Sequence, residues 1–327
     1  MKTIAVEEHF SIPDSHGGMA NAQASGTAGQ YMAQVSKKLS DLGEGRLEDM
    51  DEAGIDMQVL SLSAYEGIRR PDSADAAAVA RSSNDMLAEA IRRNPRRFTG
   101  FAALALQDPQ GAAVELERCV TKLGFVGAMI DGTIDGQFLD NLRFEPLLAE
   151  AERLAVPLYL HPAPPPSRVY EAYYSGLPEA VAHSLSISGW GWHAEMGLHS
   201  LRLVVAGVFD RFPKLQVIIG HMGEFMPYCL ARSDLILSRA AAHLQRRVSE
   251  YFQTNFHITT SGYFTVPPLL CALMVFGAQS ILFTVDYPYS PNIVGRKFLD
   301  SAPISRTDLE MLSHGNAERL LKLPAQG

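Results

Sequence analysis

Short apolar runs recur along this chain, and more polar segments with helical spacing separate them. The runs are residues 3–7 (TIAVE), 57–63 (MQVLSLS), 99–106 (TGFAALAL), 125–131 (FVGAMID), 157–161 (PLYLH), 215–221 (LQVIIGH), 256–262 (FHITTSG) and 280–286 (SILFTVD). Nearly continuous apolar runs suit strands covered on both faces, which means a parallel sheet. Between them, residues 75–94 place Val79, Met86 and Ala90 on one helical face, widened by Leu87 and Ile91. Asp108-Pro109 opens a helix over 109–123 with proline in its first turn. Residues 143–154, 195–211, 223–245, 266–277 and 307–322 read the same way. Eight strand–helix alternations predict an α/β fold, a single-domain (β/α)8 TIM barrel over residues 1–327.

Two segments break the rhythm. Residues 10–45 are rich in Gly, Ser, Ala and Gln, and residues 163–192 in Pro, Tyr, Gly and Trp. Each follows a strand's C-terminal end, so both are expected as long loops over the barrel's C-terminal face, where barrel active sites lie.

Composition narrows the function classes. The 327 residues are 47% hydrophobic and 20% charged, an ordinary globular balance. The formal net charge of −8 and the lack of a basic stripe argue against nucleic acid. The basic cluster Arg246-Arg247 near Arg239 reads as a solvated helix face. No apolar stretch is long enough to cross a membrane, and acids interrupt the N-terminal run, so no signal peptide is expected. Cys119, Cys229 and Cys271 are odd in number and far apart; they fit small core hydrophobes in a cytoplasmic protein.

The strand ends carry the chemistry. The first run leads into Glu7-Glu8-His9, the fifth ends at His161, the sixth leads into Gly220-His221-Met222-Gly223-Glu224, and the eighth ends at Asp286. Strand alternation points Glu7 and His9 the same way and turns Glu8 opposite, toward a separate partner on the helix side. With His161 and Asp286, the set offers two imidazoles and two carboxylates, a shell suited to Mn²⁺, Zn²⁺ or Fe²⁺ with positions left for water and substrate.

Each residue has a plainer reading alone: His9 as a hydrogen-bonded strand end, His161 as a turn residue before Pro162, Asp286 as a turn cap and Glu7 as a buried ion-pair partner. Together on one rim they point to a metal. His221 and Glu224, three apart around a predicted helix start, suit acid–base work, with an N-terminal helix stabiliser as the alternative for Glu224. Arg232 and Asp234 follow, either orienting His221, bridging subunits or forming a surface pair. Trp190 and Trp192 suit the wall of a pocket for a flat ring or a plug between barrel and loop. His16, His183, His193, His199, His243, His257 and His314 fall in no informative pattern.

Glu-x-His in the first run, LHP in the fifth, GHMGE in the sixth and the eighth-run Asp resemble the amidohydrolase superfamily, more narrowly its metal-dependent decarboxylases of ortho-hydroxybenzoates. VEEHFSIP, FAALALQDP, LGFVGAM, VPLYLHP, GVFDRFPKLQVIIGHMGE, FHITTSG and ILFTVDYP carry that resemblance over nearly the whole chain. It implies Glu7, His9, His161 and Asp286 as ligands of one divalent ion, Mn²⁺ ahead of Zn²⁺. It also implies Asp286 as proton donor to the ring, and His221 with Glu224, supported by Arg232, as charge stabiliser. The substrate would be a small aromatic carboxylate, and the assembly a homodimer or homotetramer. The same resemblance leaves a lactone or carbon–carbon hydrolase, a hydratase, or a non-catalytic metal-binding barrel as competitors. Two departures bear on substrate: Asp131-Gly132 stands where the branch commonly has Asn-Gly, and the 163–192 loop differs in sequence.

Overall fold

The computed structural model describes residues 1–12, 27–63 and 72–323. Eight parallel strands neighbour one another in chain order: β1 (Ile4–Phe10), β2 (Met57–Leu62), β3 (Phe98–Ala103), β4 (Gly127–Asp131), β5 (Leu158–His161), β6 (Val217–Ile219), β7 (Phe256–Thr259) and β8 (Ile281–Leu282). Helices cross between them, making a (β/α)8 barrel. The ring closes beyond the short β8: the Glu8–Tyr287 bridge is parallel, and the His9 amide donates to the Tyr287 carbonyl at 2.7 Å.

Alternation sorts the strand side chains into two cores. Ile4, Val6, Met57, Val59, Phe101, Met129, Tyr159, Ile218 and Leu282 fill the barrel interior, and Ala317 and Leu321 of the C-terminal segment close its base. Ala5, Phe10, Leu60, Leu160, Ile219 and Ile258 face the helix layer. A bulge between Ala5 and Glu8 shifts β1's register against β2: Ala5 pairs with Gln58, but Glu8 pairs with Leu60. One extra residue inverts the facing of everything after it. Ile4 and Val6 point inward below the bulge, and Glu7 and His9 point inward above it. The metal-ligand reading of β1 depends on this irregularity.

The helices follow the predicted spacing with local corrections. Asp72 caps Ser73–Arg93 by accepting from the Ala74 and Asp75 amides, and Asp108 caps Pro109–Leu123 by accepting from Gly111. The 195–211 segment divides at Gly207 into Gly191–Val205 and Val208–Arg211, because Gly207 is left-handed at φ +69°. The two segments expected as loops carry helices as well: Thr27–Leu39 in the first, Ser167–Tyr173 and Glu179–Ser186 in the second. His16 lies outside the described residues. Among the described residues, no helix is long and apolar enough to cross a membrane.

Candidate active site

Glu7, His9, His161 and Asp286 converge inside the mouth of the barrel, one ligand atom from each lying within 4.8 Å of the others. His9 Nε2 is 3.2 Å from Asp286 Oδ1, and His161 Nε2 is 3.5 Å from Glu7 Oε1. Glu7 Oε1, His9 Nε2 and Asp286 Oδ1 are buried with no hydrogen-bond partner among the described residues. Buried polar atoms are normally paired, so a convergent group of bare ones is a site built for something else. Two carboxylates and two imidazoles with inward lone pairs fit a divalent cation.

The outward atoms of Glu7 and His9 are held, and that of His161 faces a carboxylate. Glu7 Oε2 accepts from the hydroxyls of Tyr159, Ser261 and Thr259. His9 Nδ1 lies 3.2 Å from Ser61 Oγ, and His161 Nδ1 lies 3.2 Å from Asp131 Oδ1. A partner on the outer nitrogen leaves the inner lone pair for a metal. Burial and the neighbouring His161 push His9 down to about 3, so it is a neutral imidazole. Burial pushes Asp286 up to about 6, against the pull of His221 and His161. A bound cation would oppose that rise.

Glu8 turns away from the site. Its carboxylate accepts from the Thr284 hydroxyl and the Val285 and Tyr287 amides at 2.8, 2.9 and 2.8 Å. The expected helix-side partner is thus the backbone of the eighth strand's extension. Glu8 brackets Asp286, which is itself left-handed at φ +69°. Burial raises the Glu8 carboxyl to about 8, while these three donors oppose the rise.

Past β6 the chain leaves helical geometry. His221, Met222, Gly223, Glu224 and Phe225 all have positive φ, and the next helix starts only at Met226. The predicted helix start at 223 is therefore a left-handed loop. Glu224 faces two imidazoles there rather than a helix N-terminus: its Oε1 lies 2.7 Å from His221 Nδ1, and its Oε2 lies 2.6 Å from His193 Nδ1. Burial raises Glu224, but the two imidazoles hold it down at about 2. Burial disfavours charge on His221, yet Glu224 and then Glu7 carry it up to about 10. His221 Nε2 is 3.9 Å from Asp286 Oδ2.

Arg232 does not join this group. It is exposed on the helix Met226–Ala240, and Glu224's second oxygen goes to His193. Asp234 pairs with Arg247 instead. A cavity of about 370 Å³ opens over the metal-ligand cluster; His161, His193, His221, Asp286, Trp192 and Tyr289 are in its wall. Trp190 lies outside it, against Phe225.

The amidohydrolase family matches residues 9–323. The chain belongs to the amidohydrolase family. This amidohydrolase is 39% identical to the γ-resorcylate decarboxylase of Rhodococcus jostii (strain RHA1), over 98% of each chain. A 2,6-dihydroxybenzoate decarboxylase solved with 2,6-dihydroxybenzoate superposes with TM-score 0.87 at 37% identity, covering 99% of this chain and 100% of that one. A dihydroxybenzoic acid decarboxylase from Polaromonas sp. JS666, solved with manganese and the inhibitor 2-nitroresorcinol, superposes with TM-score 0.88 at 35% identity, covering 98% and 97%.

Tyr159, Thr259, Ser261 and His193 belong to the site but not to the residues singled out by spacing. The first three had a signal. Tyr159 is two before His161, and Thr259 and Ser261 are two apart, so each shares an inward face. His193 had none, because its partner Glu224 is distant in sequence and meets it only in the fold.

Proposed function

We propose that this amidohydrolase is a metal-dependent, non-oxidative carboxy-lyase acting on an ortho-hydroxybenzoate-type acid. The observation that carries the reading is the place of Asp286, which faces the bare ligand atoms through Oδ1 and His221 through Oδ2. The relatives' named substrates and the manganese of the Polaromonas enzyme support it.

An aryl carboxylate resists losing CO₂ because the electron pair of the breaking bond has no stable place in the ring. Protonating the carbon that bears the carboxylate removes that obstacle. Glu7, His9, His161 and Asp286 would hold one divalent ion, Mn²⁺ ahead of Zn²⁺. When bound, that ion supplies a Lewis-acid template for the carboxylate and the ortho oxygen. Asp286, facing the ligand cluster through one oxygen and His221 through the other, delivers its proton to the ring carbon. His221, oriented by Glu224, balances charge on the ring oxygen. The carbon–carbon bond then breaks, CO₂ departs, and its bonding pair restores the aromatic ring. Trp192 and Tyr289 supply flat apolar walls for that ring.

Two attributes extend the proposal. The free thiols Cys119, Cys229 and Cys271 support a reducing, cytoplasmic setting. The exposed Tyr228 and Met274, at 87% and 88%, support self-association as a homodimer or homotetramer.

The test is incubation of the Mn²⁺-loaded protein with a panel of ortho-hydroxybenzoates, following substrate loss and CO₂ release, with a chelated control. Release from at least one member, abolished by the chelator, is expected. A protein that binds the metal at one ion per chain and releases CO₂ from none of them would sink the proposal.

A further inference from the structure

His193 sits at the start of the helix Gly191–Val205, 4% exposed, with its ring between two oxygens. Nδ1 is 2.6 Å from Glu224 Oε2, and Nε2 is 3.1 Å from the Ser188 carbonyl. A carbonyl oxygen and a carboxylate oxygen only accept. A neutral imidazole carries one N–H and can serve one of them; an imidazolium serves both.

We infer that His193 is a positioning residue, a doubly protonated imidazolium that neutralises Glu224 and ties the segment over the mouth to the end of β6. The inference rests on the reading of His221 as the charge-balancing group. Glu224 has two oxygens and two imidazoles, one on each. With His193 as resident counter-charge on one oxygen, the buried carboxylate keeps a charged partner while its other oxygen orients His221. Without His193, one oxygen of the buried Glu224 loses its partner, and the carboxylate that orients His221 is no longer held in place.

The rings of His221, Phe225 and Tyr263 face His193 at 5.1, 5.3 and 5.4 Å, all edge-on. Among the groups named here, Glu224 is the acid in contact, His221 is the competing base, and Tyr263 is kept neutral by burial and then by Glu224. The Ser188 contact has a second consequence. Ile187, Ser188 and Trp192 line the same cavity as Asp286, so the bond that fixes the ring also fixes that wall.

The deciding experiment is ¹⁵N NMR of the full chain, histidine-labelled and loaded with diamagnetic Zn²⁺, with His193→Asn supplying the assignment. Both His193 nitrogens are expected to carry protons at about pH 7. A bare Nδ1 or Nε2 overturns the inference, whatever the enzyme's substrate proves to be. Kinetics give the second arm. Asparagine places its amide where Nδ1 stood, so His193→Asn keeps a donor to Glu224 without the charge, and His193→Ala keeps neither. kcat should fall about tenfold or more in His193→Ala, with KM within about twofold, and His193→Asn should recover only part of it. Equal kcat for His193→Asn and the parent would show that the charge is not needed and would overturn the counter-charge role. If no substrate is found, the proposed function fails while the NMR result still decides this inference.

Discussion

Around β1 and β8, buried acids and imidazoles leave Glu7 Oε1, His9 Nε2 and Asp286 Oδ1 without partners; around β6, both oxygens of the equally buried Glu224 are taken. Both clusters contain histidine and carboxylate at short range, and either would pass a search by residue type for a metal site. What separates them is where the lone pairs go. In the first cluster the outer atoms of Glu7 and His9 are bonded and the inner ones bare, which is how a protein prepares for a cation. In the second the acid is consumed by its own imidazoles, which is how a protein holds protons.

The largest expected effect comes from the residue that joins the two clusters. Asp286→Asn should lower kcat by about 10²–10⁴-fold, read as initial CO₂ release. Full turnover would remove Asp286 from the reaction and dissolve the proposed division of labour. His221→Asn should cost about 10²-fold or more in kcat while leaving the metal content at one ion per chain. If atomic absorption showed the ion lost instead, the β6 cluster would belong to the metal shell. On the metal side, Asp131→Ala should weaken metal affinity by about 10–100-fold through the freed His161 ring, seen by competition with a chelating dye. Glu8→Gln should cost about 1–3 kcal/mol of stability, because an amide cannot accept from three donors at once. Thermal melting would reveal it, and an unchanged midpoint would mean the eighth strand's extension is held by other contacts.

The smallest effect is a pH window. Glu224 is depressed from 4.5 to about 2, so its contribution is complete above about 4.5 and lost as pH falls toward 2. His221 is raised from 6.5 to about 10, so its contribution is complete below about 6.5 and lost as pH rises toward 10. The pair therefore stabilises most between those two unfolded values. In metal-free protein, the melting difference between parent and His221→Asn should peak near pH 5–6 and shrink on both sides. A flat difference would mean that the two groups are not charged partners.

Much of the barrel was legible because burial on both faces writes itself as continuous apolar runs, and eight of them alternating with helices in a chain of this length fit a closed barrel. The ligand set was legible for a related reason: Glu7, His9, His161 and Asp286 stand where apolar runs stop, and a charged group there needs a purpose. The His221–Glu224 pair could be seen from its spacing, but its geometry could not. The left-handed run from His221 to Phe225 replaces the expected helix start, and only that backbone turns Glu224 back toward both rings. Arg232 was open to three readings, orienting His221, bridging subunits or forming a surface pair, and the helix Met226–Ala240 carries it outward, away from the His221 group.

The sequence by itself determined the strand count, the rim on which the chemistry lies and the residue types that meet there, since hydrophobic periodicity and chain connectivity depend on local order alone. Tertiary structure decided which atoms face inward. Ile4 and Val6 share a parity that, continued, would have aimed Glu7 and His9 at the helix layer, and a single bulge against β2 reverses it. The contact of His193 with Glu224 was likewise decided only in the fold, because it joins the segment after β5 to the segment after β6. A pairing between distant segments depends on how the strands register and the helices pack, and no local pattern encodes it.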